Sequence, residues 1–268
     1  MTAPLSLSWL FRGVHAHGAI MALTAYFDDT ASHRRKIVGW LGYVGDDLQW
    51  GFAEKIWTRE LRRRGLGHFH MAECEAGYGP YGNQTERDML KHDLRQAIIG
   101  GQLYGLGVCA LESDWEEIVP AELVAIVGDA EQTCIAQCVY AAQDFSRRTD
   151  KGEAIRLVFD TTGKGAAISA AVDWHNAAYG RNDPYAFASM KVTPGIQMAD
   201  YLAWHVLQVS KRVNETNAVP DPAPHFRQLV DNQWMDINWI GRPQITALVE
   251  DAKRGKNATL RAAAGGAP

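Results

Sequence analysis

Long hydrophobic runs are missing from this chain: no apolar stretch reaches the ~18 residues of a spanning helix, so no membrane role is expected. Cysteine is scarce. Cys74, Cys109, Cys134 and Cys138 contain no CxxC pair and are too few for a disulfide framework, which makes reduced thiols and a cytoplasmic location the expectation. A basic excess is missing too. With 27 Lys and Arg against 31 Asp and Glu the net charge is −4, so any nucleic-acid contact has to use a local basic patch. No internal repeat or low-complexity block is found apart from Ala262-Ala263-Ala264-Gly265-Gly266, which reads as a disordered tail. Near the start, Arg12, His15 and His17 interrupt the apolar character and no basic segment precedes it. Residues 1–20 therefore read as an extension ahead of Met21, not as a signal peptide.

What remains is the composition of a globular protein, 268 residues with 47% hydrophobic and 22% charged. That length suits one large domain or two small ones, either able to bury a core. Leu23 to Asp28 alternates apolar and polar and predicts a strand; Ile37 to Val44 predicts a second, paired as a hairpin. Asp47 opens a helix that buries Ala53, Ile56, Trp57 and Leu61 and turns Lys55, Arg59, Arg62 and Arg63 outward. After the loop Gly77-Tyr78-Gly79-Pro80-Tyr81-Gly82, Thr85 and Asp88 suggest a capping box for a helix towards Ile99. Strands are expected at Leu103–Leu111, Ala154–Asp160 and Tyr185–Met190, and helices at 128–148, 165–179 and from Thr193-Pro194 to about Val213. Pro220, Pro222 and Pro224 mark a linker, and Pro243 opens a last short helix. Hairpin strands followed by alternating strands and helices predict an α/β fold with a mixed five-stranded sheet flanked by helices.

The acids at the strand ends carry the chemistry. Asp28 closes the first strand and Asp160 the fourth, each after an apolar run, and Asp200 sits on the apolar helix stretch Met198–Trp204 with Gln197 beside it. Ionised carboxylates in a sheet are costly unless paired. Were these two strands neighbours, the acids would converge and repel, and Mg²⁺ or Mn²⁺, which prefer oxygen ligands, would relieve the repulsion. Turn-forming aspartates and a solvent-facing Asp200 are the plainer alternative.

Four segments in this order resemble the DUF3800 proteins of bacteria and phages, which look like members of the RNase H-like superfamily. They are Tyr26-Phe27-Asp28-Asp29-Thr30-Ala31-Ser32, Phe69-His70-Met71-Ala72-Glu73, Val158-Phe159-Asp160, and Ile196-Gln197-Met198-Ala199-Asp200-Tyr201-Leu202-Ala203. The resemblance implies an RNase H-like domain over residues 21–215, with a helical insertion at about 46–100 and a C-terminal helical extension over 216–268. It also implies a metal-dependent phosphodiesterase site with acids on the first strand, the long first core helix, the fourth strand and the last core helix. Asp28, Asp160 and Asp200 match three of these places. Topology favours Glu131 as the fourth metal ligand; the local motif favours Glu73. His70 is a candidate for proton transfer or phosphate contact. Asp29 and Thr30-Ala31 stand where the family has Glu-Ser-Gly, which removes any inherited role for position 29.

Substrate contacts are expected from the stripe Lys55, Arg59, Arg62 and Arg63, with Arg34, Arg35 and Lys36 assisting, from Gln197, and from Tyr78 as a stacking platform. The function this implies is a Mg²⁺- or Mn²⁺-dependent nuclease acting on RNA or DNA, in phage defence or a mobile element. The alternatives are a non-catalytic RNase H-like module that binds nucleic acid or a protein partner, and a small-nucleotide phosphodiesterase. A homo-oligomer is compatible with each.

Overall fold

The structure, a computed structural model, describes residues 22–32, 36–149, 154–161, 163–216, 222, 224–231 and 235–255. The N-terminal extension, Arg34, Arg35, Pro220 and the Ala/Gly tail lie outside them. Strands β1 (Leu23–Ser32), β2 (Ile37–Asp46), β3 (Tyr104–Leu111), β4 (Ile155–Asp160), β5 (Tyr185–Ala188) and β6 (Met235–Ile240) form one sheet in the order β5-β4-β1-β2-β3-β6. β2 is antiparallel to β1 and β3, and the β1–β4, β4–β5 and β3–β6 pairs are parallel. Only β2 therefore runs against the rest.

The sheet has six strands, where the sequence predicted five. The extra strand, β6, lies in the segment expected to be purely helical and pairs Gly105 to Ala110 with Met235 to Ile240. Its signal was present: Met235, Ile237 and Trp239 alternate with Asp236 and Asn238, the period of a strand.

Helices cover both faces. On one side, α1 (Asp47–Arg63), α2 (Met71–Ala76), α3 (Gln84–Gly101), α8 (Pro194–Thr216) and α9 (Pro224–Asp231) pack with Leu41 and Tyr43 of the sheet. On the other, α4 (Glu112–Ile118), α5 (Ala121–Val127), α6 (Ala130–Arg148), α7 (Gly165–Tyr179) and α10 (Arg242–Lys253) pack on Ala25, Phe27, Trp40 and Leu157. Strand alternation makes this partition, because successive side chains leave opposite faces. Two caps differ by one or two residues from the sequence reading. Asp46, not Asp47, caps α1 in a capping box with Gln49, and Asn83 caps α3 by accepting from the Glu86 N–H. All four cysteines are buried free thiols. Among the described residues no helix is long and apolar enough to cross a membrane.

Candidate functional site

The site begins with register. β1 and β4 are parallel neighbours with Phe27 opposite Phe159, and the two rings stack at 5.5 Å in the core beneath α6 and α7. The next residue on each strand, Asp28 and Asp160, then turns to the opposite face, where α8 lies across β1 and β2. Parallel strands end at the same sheet edge, so the two carboxylates arrive together there. α8 approaches this closely because residue 195 is glycine: a Cβ there would stand 2.5 Å from the Tyr26 ring. That seating brings Asp200 into the site.

Each of the three aspartates is anchored by a main-chain N–H. Asp28 Oδ1 accepts from Asp29 at 3.0 Å, Asp160 Oδ1 from Met190 at 3.1 Å, and Asp200 Oδ2 from Met71 at 2.6 Å. The Met71 bond also draws in the His70–Glu73 motif. His70 Nδ1 is 3.4 Å from Glu73 Oε1, and its Nε2 is 4.0 Å from Asp200 Oδ1.

Asp28 and Asp200 are buried, at 5% and 8% exposure, and among the described residues Asp28 pairs with no cation. Burial pushes the Asp28 carboxyl well above the ordinary carboxylate value, and the charges of Asp200, Asp29 and Asp160 push it further. The Asp200 carboxyl is pushed up to about 6, chiefly by burial; the Met71 N–H and His70 oppose this while Asp160 and Glu73 add to it. Asp28, Asp160 and Asp200 thus share one field, to which Glu73 adds at Asp200 and which His70 opposes there.

Glu131 stands elsewhere. It lies in the first turn of α6 and pairs with Lys164, which also holds Asp29 at 3.2 Å and sits 6.0 Å from the Trp40 ring centroid. Alternation places Asp29 on the α6 face, opposite Asp28. The geometry therefore sets Glu73 beside His70 and Asp200, whereas Glu131 pairs with Lys164.

The expected substrate residues are largely engaged within the protein. Gln197 Oε1 accepts from Trp57 Nε1 at 2.8 Å and from the Phe69 N–H at 3.2 Å, while its Nε2 donates to the Met190 carbonyl. It ties α8 to three neighbouring segments. Arg59 and Arg63 meet Glu60, which is itself only 5% exposed, and Arg63 also meets Asp93. The stripe thus compensates a buried acid that the helical pattern gave no reason to single out. Arg62 is exposed, as is Tyr78 at 69%. Tyr81 is buried and donates to the His68 carbonyl at 3.2 Å, pinning the glycine-rich loop.

A hard divalent cation suits this donor set, which is all oxygen and carries uncompensated negative charge. As the side chains stand, no three His, Cys, Asp or Glu among the described residues close on one point tightly enough to hold an ion. Comparison with protein-family profiles, with curated proteins and with solved structures finds no match to this chain.

Proposed function

We propose that this chain is a Mg²⁺- or Mn²⁺-dependent nuclease with an RNase H-like core, similar to the DUF3800 proteins. One observation carries the reading: Asp28 is buried, pairs with no cation among the described residues, and faces the charges of Asp160 and Asp200 at one sheet edge. Such an arrangement is costly on its own and becomes favourable around a divalent ion. The order of hairpin, third strand, long helix, fourth strand, helix, fifth strand and last helix supports the fold part of the reading.

Asp28, Asp160, Asp200 and Glu73 would hold the metal. When bound, the ion activates water and offsets charge on the leaving oxygen of a phosphodiester. The Met71 and Met190 N–H groups anchor the carboxylates of Asp200 and Asp160, and the other oxygen of each would be the metal ligand. His70, which stands against Glu73 and Asp200, would pass a proton to the departing oxygen.

Calorimetric titration of Mn²⁺ into wild type and Asp160→Asn tests the metal site, and hydrolysis of labelled RNA and DNA by wild type and Asp28→Asn tests the chemistry. The expected result is binding and turnover in wild type and loss of both in the variants. Hydrolysis unchanged in both variants would falsify the proposal. The competing reading is a binding module without turnover. It draws on the carboxylates that already accept main-chain N–H groups and do not close on one point. Metal-dependent turnover abolished by Asp28→Asn eliminates it.

A further inference from the structure

A cleft of about 800 Å³ opens where the end of α1 meets the first half of α3. Small-ligand sites span ~300–1,000 Å³, so this one has room for a nucleotide-sized group. Arg63, Arg64, Arg87 and His92 line it alongside the apolar Leu66 and Met89.

The charges lining the cleft balance in number, with Arg63, Arg64 and Arg87 against Glu86, Asp88 and Asp93, but not in pairing. Arg63 and Arg64 both meet Asp93 and Glu60, and Lys91 is matched by Glu75 and Asp88. Arg87 has only neutral acceptors, the Tyr81 carbonyl at 3.0 Å and the Gln84 side chain, and among the described residues no carboxylate pairs with it. Arg95 stands behind His92, 4% exposed, with Nη2 at 2.9 Å from His92 Nδ1. Arginine only donates, so Nδ1 accepts, the ring proton belongs on Nε2, and His92 offers a donor. Arg95 Nε and Nη1 find no hydrogen-bond partner, and no described carboxylate pairs with Arg95 either. Arg87 in the lining and Arg95 behind His92 therefore lack a paired carboxylate, while Glu86 also lines the cleft. Arg95, withdrawn from water, calls for an anion nearby.

The cleft adjoins the carboxylate site through Tyr81. That ring lines the cleft, and its hydroxyl bonds the carbonyl of His68, two residues before His70. We propose that the cleft is a phosphate subsite for a nucleic-acid strand, taking a backbone phosphate neighbouring the one presented to the carboxylates; this rests on the nuclease reading above. Arg87 is the principal contact and His92 a second donor. A separate phosphate subsite makes a strand, and not a mononucleotide, the substrate.

Fluorescence anisotropy with a labelled single-stranded oligonucleotide of about twelve nucleotides, titrated with the full chain in EDTA, reads this cleft without metal. Arg87→Gln is expected to weaken binding about tenfold and to lower the salt slope by about one phosphate contact. Thr85→Trp, which fills the cleft and leaves every charge in place, is expected to weaken it as well. Arg148→Gln, on α6 and paired with Asp144, is expected to bind as wild type. Adenosine monophosphate and inorganic phosphate should compete only at far higher concentration than unlabelled oligonucleotide. The proposal falls if Arg87→Gln and Thr85→Trp bind as wild type, or if the mononucleotide competes as well as the strand. Metal-dependent hydrolysis with unaltered Arg87→Gln affinity sinks the cleft alone. Arg87-dependent strand binding by a chain that takes up no Mn²⁺ sinks the nuclease reading alone.

Discussion

The carboxylate of Asp200 accepts a 2.6 Å hydrogen bond from the main-chain N–H of Met71, across 129 residues of sequence. This bond joins α8 to the first turn of α2 and so sets His70 and Glu73 beside the strand-end acids. Asp200→Asn keeps an acceptor for the Met71 N–H; Asp200→Ala does not. The alanine variant should therefore be less stable than the asparagine variant by ~1–3 kcal/mol, the cost of a buried unpaired donor. Both should lose Mn²⁺ binding. Equal unfolding midpoints for the two variants would show that the bond contributes nothing to the fold.

The clustered carboxylates give the metal-free protein a defined pH response. The folded pKa of Asp200, about 6, exceeds the ordinary 3.8, and that of Asp28 is raised in the same direction. The folded state thus binds these protons more tightly than the unfolded chain. Their contribution to stability is complete below 3.8 and is lost as pH rises through about 6. Asp28→Asn should remove much of this loss and stabilise the metal-free protein at neutral pH by roughly 1–3 kcal/mol. Urea unfolding in EDTA across that window measures it, and a slope identical in wild type and variant would contradict the carboxylate origin.

Gly195 sets how closely α8 seats on β1. An alanine Cβ would lie 2.5 to 2.8 Å from three atoms of the Tyr26 ring, which itself packs edge-on against Trp50 at 4.6 Å. Gly195→Ala should cost ~1–3 kcal/mol by overpacking. It should also weaken Mn²⁺ binding more than an equally destabilising change far from α8, because Asp200 is displaced with its helix. Calorimetry on Gly195→Ala beside Ile245→Val, in α10 on the other face, separates the two effects.

His175 predicts the opposite acid response. It is buried beneath Trp174 and Tyr179, and burial drives its pKa down to about 4, with the nearby Ala136 main chain opposing and the Arg147 guanidinium assisting. A folded pKa below the ordinary 6.5 means stability present above 6.5 and lost as pH falls towards 4. His175→Phe keeps a ring in place and should flatten this limb of the stability profile. An unchanged acid limb in that variant would assign the loss to other groups.

Much of the framework was legible along the chain. The alternation of Leu23 to Asp28, the apolar run ending at Asp160 and the Thr193-Pro194 start of α8 are local signals, and the corresponding elements form where those signals stand. β6 carried the same alternation in six residues but followed a proline-rich stretch, and its pairing with β3 depends on a neighbour 130 residues away, which a local pattern cannot supply. The arginines of α1 read as a solvated or ligand-binding stripe because periodicity reports exposure and not partners. The Glu60–Arg63 spacing is local, but the burial of Glu60 and the pairing of Arg63 with Asp93 of α3 are tertiary.

By itself, the sequence determined which residues end strands, which faces of the helices are apolar, and that three aspartates occupy otherwise apolar surroundings, since these follow from side-chain chemistry and the periods of strand and helix. Only the tertiary structure decided that β4 lies parallel beside β1, that α8 crosses the face bearing Asp28, and that Glu73 stands by His70 while Glu131 turns to Lys164. Spacing along a chain does not encode which side of a sheet a distant helix will cover. That choice is made by burial of whole apolar faces, and the carboxylates follow the backbones that carry them.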